Sequence, residues 1–307
     1  MSWIIFVIIT VLLASIVIYI DNYTSDVCFK GRGAASQKYF FAFTYIIAAL
    51  VMLAIFGIDF SVTNPLLYLA IFASGLIVSA AGIFYYKALE VDNSTNLGIF
   101  IQLAPILYLI LGWLFAGDRI SPLQFAASLI ILMAPILIVL TARKNSRKVR
   151  IKAIIYTFLY VLIAVTGNFI FAKSNSTDIN FATEIALVFL GKGIGNVIIM
   201  LAMPKWRHRF VNIVRQTHKK VLIPMSISAI LNIIKDFCYR SALVLAPTIA
   251  LASAASDSAQ PIVIFFMGLL LTLIWPKFGR ENLTRKSVIV HLVATVLVVT
   301  GIILLQL

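Results

Sequence analysis

Negative charge is scarce in this chain. Only 11 Asp and Glu stand against 25 Lys and Arg in 307 residues, and charged residues together make up 12%. A soluble domain carries about 25%, so a charged, water-facing surface around a soluble core is excluded. Cysteine is limited to Cys28 and Cys238, which rules out a disulfide framework and leaves the redox compartment open. The only histidines are His208, His218 and His291. With no Cys/His cluster, no phosphate-binding loop and no nucleophile motif, neither a metal, a cofactor nor an enzymatic reaction is expected.

What fills the chain is apolar: 62% hydrophobic residues and a mean hydropathy of +1.05. Runs of about 18–25 apolar residues lie near 3–20, 39–58, 65–87, 96–117, 122–141, 153–172, 180–203, 221–245, 248–275 and 286–306. They predict an all-α polytopic membrane protein of ten transmembrane helices with no soluble domain. The first run lacks the basic flank and cleavage site of a signal peptide and reads as a spanning helix. Trp3, Trp113, Trp206 and Trp275 fall near span ends, as interface anchors do. The sequons at Asn22, Asn93, Asn175 and Asn282 fall on both expected faces and decide nothing.

The net charge of +14 sits in short connections rather than along one helix, so nucleic acid is not an expected partner; the bilayer and a small molecule are, and a homodimer is left open. The connections after spans 1, 5, 7 and 9 hold the cations, among them Lys30, Arg32 and Lys38; Arg143, Lys144, Arg147 and Lys148; Lys205 and Arg207; and Lys277 and Arg280. The excess of cations on cytoplasmic loops puts this face in the cytoplasm and both termini outside, in a multi-pass protein of the plasma membrane.

The two halves repeat each other. Tyr86-Lys87-Ala88-Leu89, Pro105 and Gly117-Asp118-Arg119-Ile120-Ser121 recur as Tyr239-Arg240-Ser241-Ala242-Leu243, Pro261 and Gly279-Arg280-Glu281-Asn282-Leu283-Thr284. Five spans separate equivalent points, an odd number, so the copies, 1–148 and 149–307, are inverted in the bilayer. Asp118 and Glu281 read as structural caps that complement a helix N-terminus. In Gly191-x-x-x-Gly195 the small residues permit close helix packing.

These repeated elements resemble the EamA-type transporters of the drug/metabolite transporter superfamily. The resemblance implies ten helices, a central pocket lined by both halves and both termini in the cytoplasm, the reverse of the loop-charge reading. It implies carriage of amino acids, drugs, sugars, nucleotide-linked metabolites or other small molecules.

Site candidates are the polar residues within spans, because a charge at the bilayer centre costs about 2.5–3.5 kcal/mol on insertion scales and needs a partner or a wet cavity. Span 7 holds Glu184, Lys192 and Asn196; span 8 holds Asn232, Lys235, Asp236 and Arg240; span 9 holds Ser253, Ser256, Asp257 and Gln260. Ser253, Asp257 and Gln260 share one helix face before Pro261, with only Gln102 in the corresponding place before Pro105. Asp236 and Arg240 are spaced to pair within their helix, whereas Lys235 is expected to meet Asp257 or an anionic group of the cargo. Tyr85, Tyr86 and Tyr239 read as interface residues, and Asp21 and Asn22 as headgroup-zone residues.

The function so predicted is secondary transport of a small polar or amphiphilic metabolite, amino-acid-like or a related export substrate, by alternating access. Coupling to protons through Asp257 or Glu184 is one form of it. Exchange of an anionic cargo such as a sugar phosphate or nucleotide sugar, recognised by Lys235, Arg240 and Lys192, is the alternative. A non-transporting membrane protein or lipid-modifying enzyme is the reading from another class.

Overall fold

In hydrocarbon each backbone N–H and C=O must find its partner within the protein, and a helix satisfies them inside one segment. The computed structural model describes residues 2–25, 29, 37–57, 65–92, 94–116, 121–141, 144–174, 179–246, 249–275 and 284–305, and all regular elements among them are helical. They are α1 (Ser2–Tyr23), α2 (Lys38–Phe56), α3 (Pro65–Leu89), α4 (Ser94–Ile101), α5 (Ala104–Leu111) with a π-helical turn (Gly112–Ala116), α6 (Pro122–Thr141), α7 (Lys144–Ser174), α8 (Phe181–Ala202), α9 (Pro204–Leu245), α10 (Ile249–Ile274) and α11 (Arg285–Leu305).

Local chemistry sets several of these boundaries. At the start of α6 the Ser121 hydroxyl accepts from the Gln124 N–H at 3.2 Å, and the Gln124 side chain accepts from the Ser121 N–H at 3.0 Å. This is a reciprocal cap with Pro122 at the first helical position. Asp118 and Glu281, the expected caps, lie outside the described residues. The α8 helix opens on Asn180, whose side chain accepts from the Ala182 N–H at 2.9 Å. Pro105 cannot donate to the carbonyl of Ile101, and α4 and α5 part at Gln102 and Leu103. The α10 helix runs on through Pro261.

Eight described segments are long and apolar enough to cross a bilayer, fewer than the ten expected. In α6 and α10 the apolar stretches among the described residues are shorter, 122–134 and 262–274. The basic connection expected before span 8 is helical too. The 42 residues of α9 extend about 63 Å at 1.5 Å per residue, about twice the hydrocarbon thickness, so its start projects beyond the span. There Trp206, Tyr156 of α7 and Phe84 of α3 surround the Lys87 ammonium at 5.9, 5.8 and 5.7 Å, contacts that a cation makes with ring faces. Trp206 therefore ties the extension to the bundle rather than serving only as an interface anchor. The expected seam near 148 is taken up by the first turns of α7.

Packing crosses between the halves. The pairs are α3 with α7, α1 with α9, α2 with α8, and α6 with α11, while α10 packs on α1 and α4 and α5 pack on α7. Exchanging α1–α6 for α7–α11 in order, with α4 and α5 counted as one interrupted helix, turns α3–α7 into α1–α9 and α1–α10 into α7 with α4 and α5, and leaves α2–α8 and α6–α11 as they are. The closest approach is between α3 and α8. A Cβ on Gly75 would lie 2.2 Å from the Val188 carbonyl oxygen, and one on Gly191 would lie 2.2 Å from that of Phe72. Gly195 faces Ser79 in the same way. Gly191→Ala should push α8 off α3 and cost about 1–3 kcal/mol, as over-packing does; a melting temperature in detergent no lower than wild type would refute this contact.

Candidate functional site

Between the two sets of helices lies a cavity of about 240 Å³. The helical period aims its walls. The α1 helix presents Thr10, Ala14, Val17, Ile18 and Asp21 at three- and four-residue steps. From α9 come Asn232, Lys235, Asp236, Tyr239 and Arg240, with Lys38 and Tyr45 from α2, Asn168 from α7, Lys192 and Asn196 from α8, and Ser256 and Gln260 from α10.

At its centre the Lys192 ammonium donates to Asp236 Oδ2, which also accepts from the Tyr45 hydroxyl at 2.8 Å. Lys235 stands 3.6 Å from the other Asp236 oxygen and donates to Asn232 Oδ1 at 2.8 Å. Tyr45 also turns its ring toward Lys192, 5.1 Å from the centroid. One end of the cavity holds Asp21, whose carboxylate accepts from Ser228 at 2.6 Å and from Tyr86 at 3.3 Å, with a further hydroxyl from Tyr85. Another part holds Arg240, which donates to Asn168 at 3.4 Å and lies over the Phe171 ring at 4.2 Å. Tyr108 and Tyr239 share a hydrogen bond of 3.1 Å nearby.

Several expectations change in three dimensions. Asp236 pairs with Lys192 and Lys235, not with Arg240 in its own helix, because α8 brings a closer cation. Lys235 is satisfied by Asn232 and Asp236 on α9; the side chains of Asp257 and Ser253, and of Pro261, lie outside the described ones. Gln102 does not line the cavity but donates back to the Gly98 carbonyl at 3.2 Å, where the helix is interrupted. Glu184 is buried in the first turn of α8, away from the cavity, in the place where a carboxylate complements the helix N-terminus. Lys192, Asn232, Arg240 and Gln260 do line it. Pro105 is buried next to the α4–α5 break.

Residues 1–140 match the family model described as "EamA-like transporter family". This N-terminal segment, somewhat less than half of the chain, is similar to that family. The family consists of membrane transporters of the drug/metabolite transporter superfamily, not of enzymes, and with the eight apolar spans it makes this a multi-pass integral membrane protein. No curated protein matches the chain. Among solved structures 24 chains match. One, described only as the crystal structure of a protein, aligns with TM-score 0.54 at 14% identity over 99% of this chain and 96% of its own, a likeness of fold alone.

Three groups of cavity residues escaped the sequence reading. Asp21 ends an apolar run, as headgroup-zone residues do, yet it is only 1% exposed; its spacing from Thr10, Ala14 and Val17 is the signal that it faces inward. Asn22 beside it is likewise buried, which closes that sequon. Lys38 was counted as a loop cation, yet it is 8% exposed and lines the cavity. Tyr85, Tyr86 and Tyr239 line the cavity as well rather than marking an interface.

Asp236→Asn should destabilise the folded protein by about 3–5 kcal/mol, because it leaves buried cations without their counter-charge. The double variant Lys192→Met with Asp236→Leu removes both charges of the bonded pair and should recover most of that loss. Melting curves of the three proteins in the same detergent check this, and a double variant no more stable than Asp236→Asn would contradict it.

Proposed function

We propose that the protein is a secondary carrier for a small polar or amphiphilic metabolite, amino-acid-like or a related export substrate. Residues 1–148 and 149–307 act as inverted five-helix units that rock about the cavity and open it to each side in turn. The observation that carries this reading is a charged cavity, inside an apolar bundle, walled by helices of both units: Asp21, Lys38 and Tyr45 from one, Lys192, Asp236 and Arg240 from the other. Charged residues at that depth are expected to mark a substrate or ion path. The volume of about 240 Å³ lies below the about 300–1,000 Å³ of drug-sized sites, which favours a small metabolite over a nucleotide sugar.

Proton coupling is the form of transport we favour. Asp21 joins Asp257 as the candidate carboxylate and replaces Glu184, which lies outside the cavity. Its described partners are hydroxyl groups, which re-orient as a carboxylate gains or loses a proton. The anion-exchange reading loses Lys192 and Lys235 as free recognition groups, since Asp236 engages both, but keeps Arg240. Both termini are placed outside, on the loop-charge argument, even though Lys38 leaves that count for the cavity.

In proteoliposomes of purified protein, a screen of labelled metabolites should find one whose uptake is accelerated by an imposed pH gradient. Asp21→Asn should abolish the acceleration; driven uptake at wild-type rate would remove Asp21 from coupling. A single cysteine placed before Trp3 should react with a membrane-impermeant reagent in intact cells, and labelling confined to permeabilised cells would reverse the orientation.

A further inference from the structure

We propose that the cargo is a small organic anion with two acidic groups, one held by Lys38 and the other by Arg240. The inference rests on the carrier reading of the same cavity and names its substrate class. Among the described lining residues four cations, Lys38, Lys192, Lys235 and Arg240, face two carboxylates, Asp21 and Asp236. Asp236 serves Lys192 and Lys235 together. The described lining thus carries an excess of two positive charges, and Lys38 on α2 and Arg240 on α9 form no ion pair with a described residue, Asp21 and Asp236 attracting Lys38, and Asp236 attracting Arg240, only from beyond ion-pair distance.

Each of the two is held ready rather than satisfied. Lys38, 8% exposed, makes no hydrogen bond or ion pair with a described residue, and its end rests on Gly82 of α3, where a Cβ would lie 2.2 Å from Nζ. The glycine makes room for the ammonium at the cavity wall. Arg240, 1% exposed, is oriented by the Phe171 ring and by Asn168 through Nη2, while its Nη1 is buried without a partner. The other unpartnered buried side-chain atom on the cavity wall is Asn196 Nδ2. All of these are donors. A ligand that completes the site therefore supplies acceptor oxygens and negative charge, the role that carboxylates fill against guanidinium and ammonium groups. An excess of two buried positive charges is unfavourable in the empty protein and is relieved when a dianion enters.

The test is thermal stabilisation of the purified full-length protein in detergent, with sodium chloride at matched ionic strength as reference. Succinate should raise the melting temperature, whereas acetate, glycerol and lysine should not. Lys38→Met and Arg240→Met should each weaken the apparent affinity for the stabilising dianion by about 30-fold or more, the scale for removing one partner of a buried charge pair. Lys38→Met should leave the empty protein at least as stable as wild type, a result that a purely structural lysine would not give. Gly82→Ala keeps the lysine but displaces its ammonium, and should weaken binding although the fold is retained. Stabilisation by neutral or cationic solutes alone, by inorganic phosphate alone or by none of these solutes would overturn the proposal. So would wild-type affinity in both Lys38→Met and Gly82→Ala. Uptake by proteoliposomes separates the two readings: movement of a neutral solute but no dianion leaves a carrier and refutes the anion, while a dianion that binds but is not moved supports recognition and refutes transport.

Discussion

The buried ion pair between Lys192 and Asp236 is the constraint on which the interior depends. Neither charge could remain in a hydrocarbon-surrounded bundle alone, so α8 and α9 must present these two side chains to each other, and α2 must supply the Tyr45 hydroxyl that shares the carboxylate. Three helices are thereby held in register by one carboxylate. Because Asp236 is also within 3.6 Å of Lys235, it is occupied by the cations nearest to it, and neither Lys38 nor Arg240 forms an ion pair with it.

Apolar packing and polar lining divide the work between helix faces. Where α3 meets α8, glycines let the backbones approach until there is no room for a Cβ, a contact that excludes water and depends on dispersion rather than on the hydrophobic effect within lipid. One turn or more away the same two helices carry Ser79 and Asn196, bonded to each other at 3.0 Å on the cavity wall. The α9 helix presents Ser228, Asn232, Asp236 and Arg240 at four-residue steps, a polar stripe about 18 Å long at 1.5 Å per residue. Such a stripe supplies successive partners across much of the membrane. The crosswise packing of α1 on α9 and α3 on α7 places both halves along that stripe, an arrangement that rocking units require.

The periodicity of the apolar runs made most helices legible, because a bilayer imposes both length and composition on a spanning segment. Legibility failed where a helix continued past its apolar stretch, as at the start of α9: hydropathy reports where lipid begins but not where helical hydrogen bonding stops. It failed again at Asp21 and Lys38. Both sit at the ends of runs, where a charged residue is cheap if it faces the headgroups, and window averages cannot say which way it faces. The helix faces of Asn232, Asp236 and Arg240 were readable from spacing, as was the recurrence of motifs between halves.

What the chain determined by itself is its membrane class, its family resemblance and the polar stripe on α9, since all three depend on residue type and on the fixed 3.6-residue turn. Which charge answers which was decided by tertiary structure alone. Asp236 had a spaced partner in Arg240, four residues away, and instead took Lys192, 44 residues distant; Asp21 found Ser228 across 207 residues. Periodicity sets the face on which a side chain stands but not the helix opposite it, and in a low-dielectric interior the nearest opposite charge outweighs the one that is merely close in sequence.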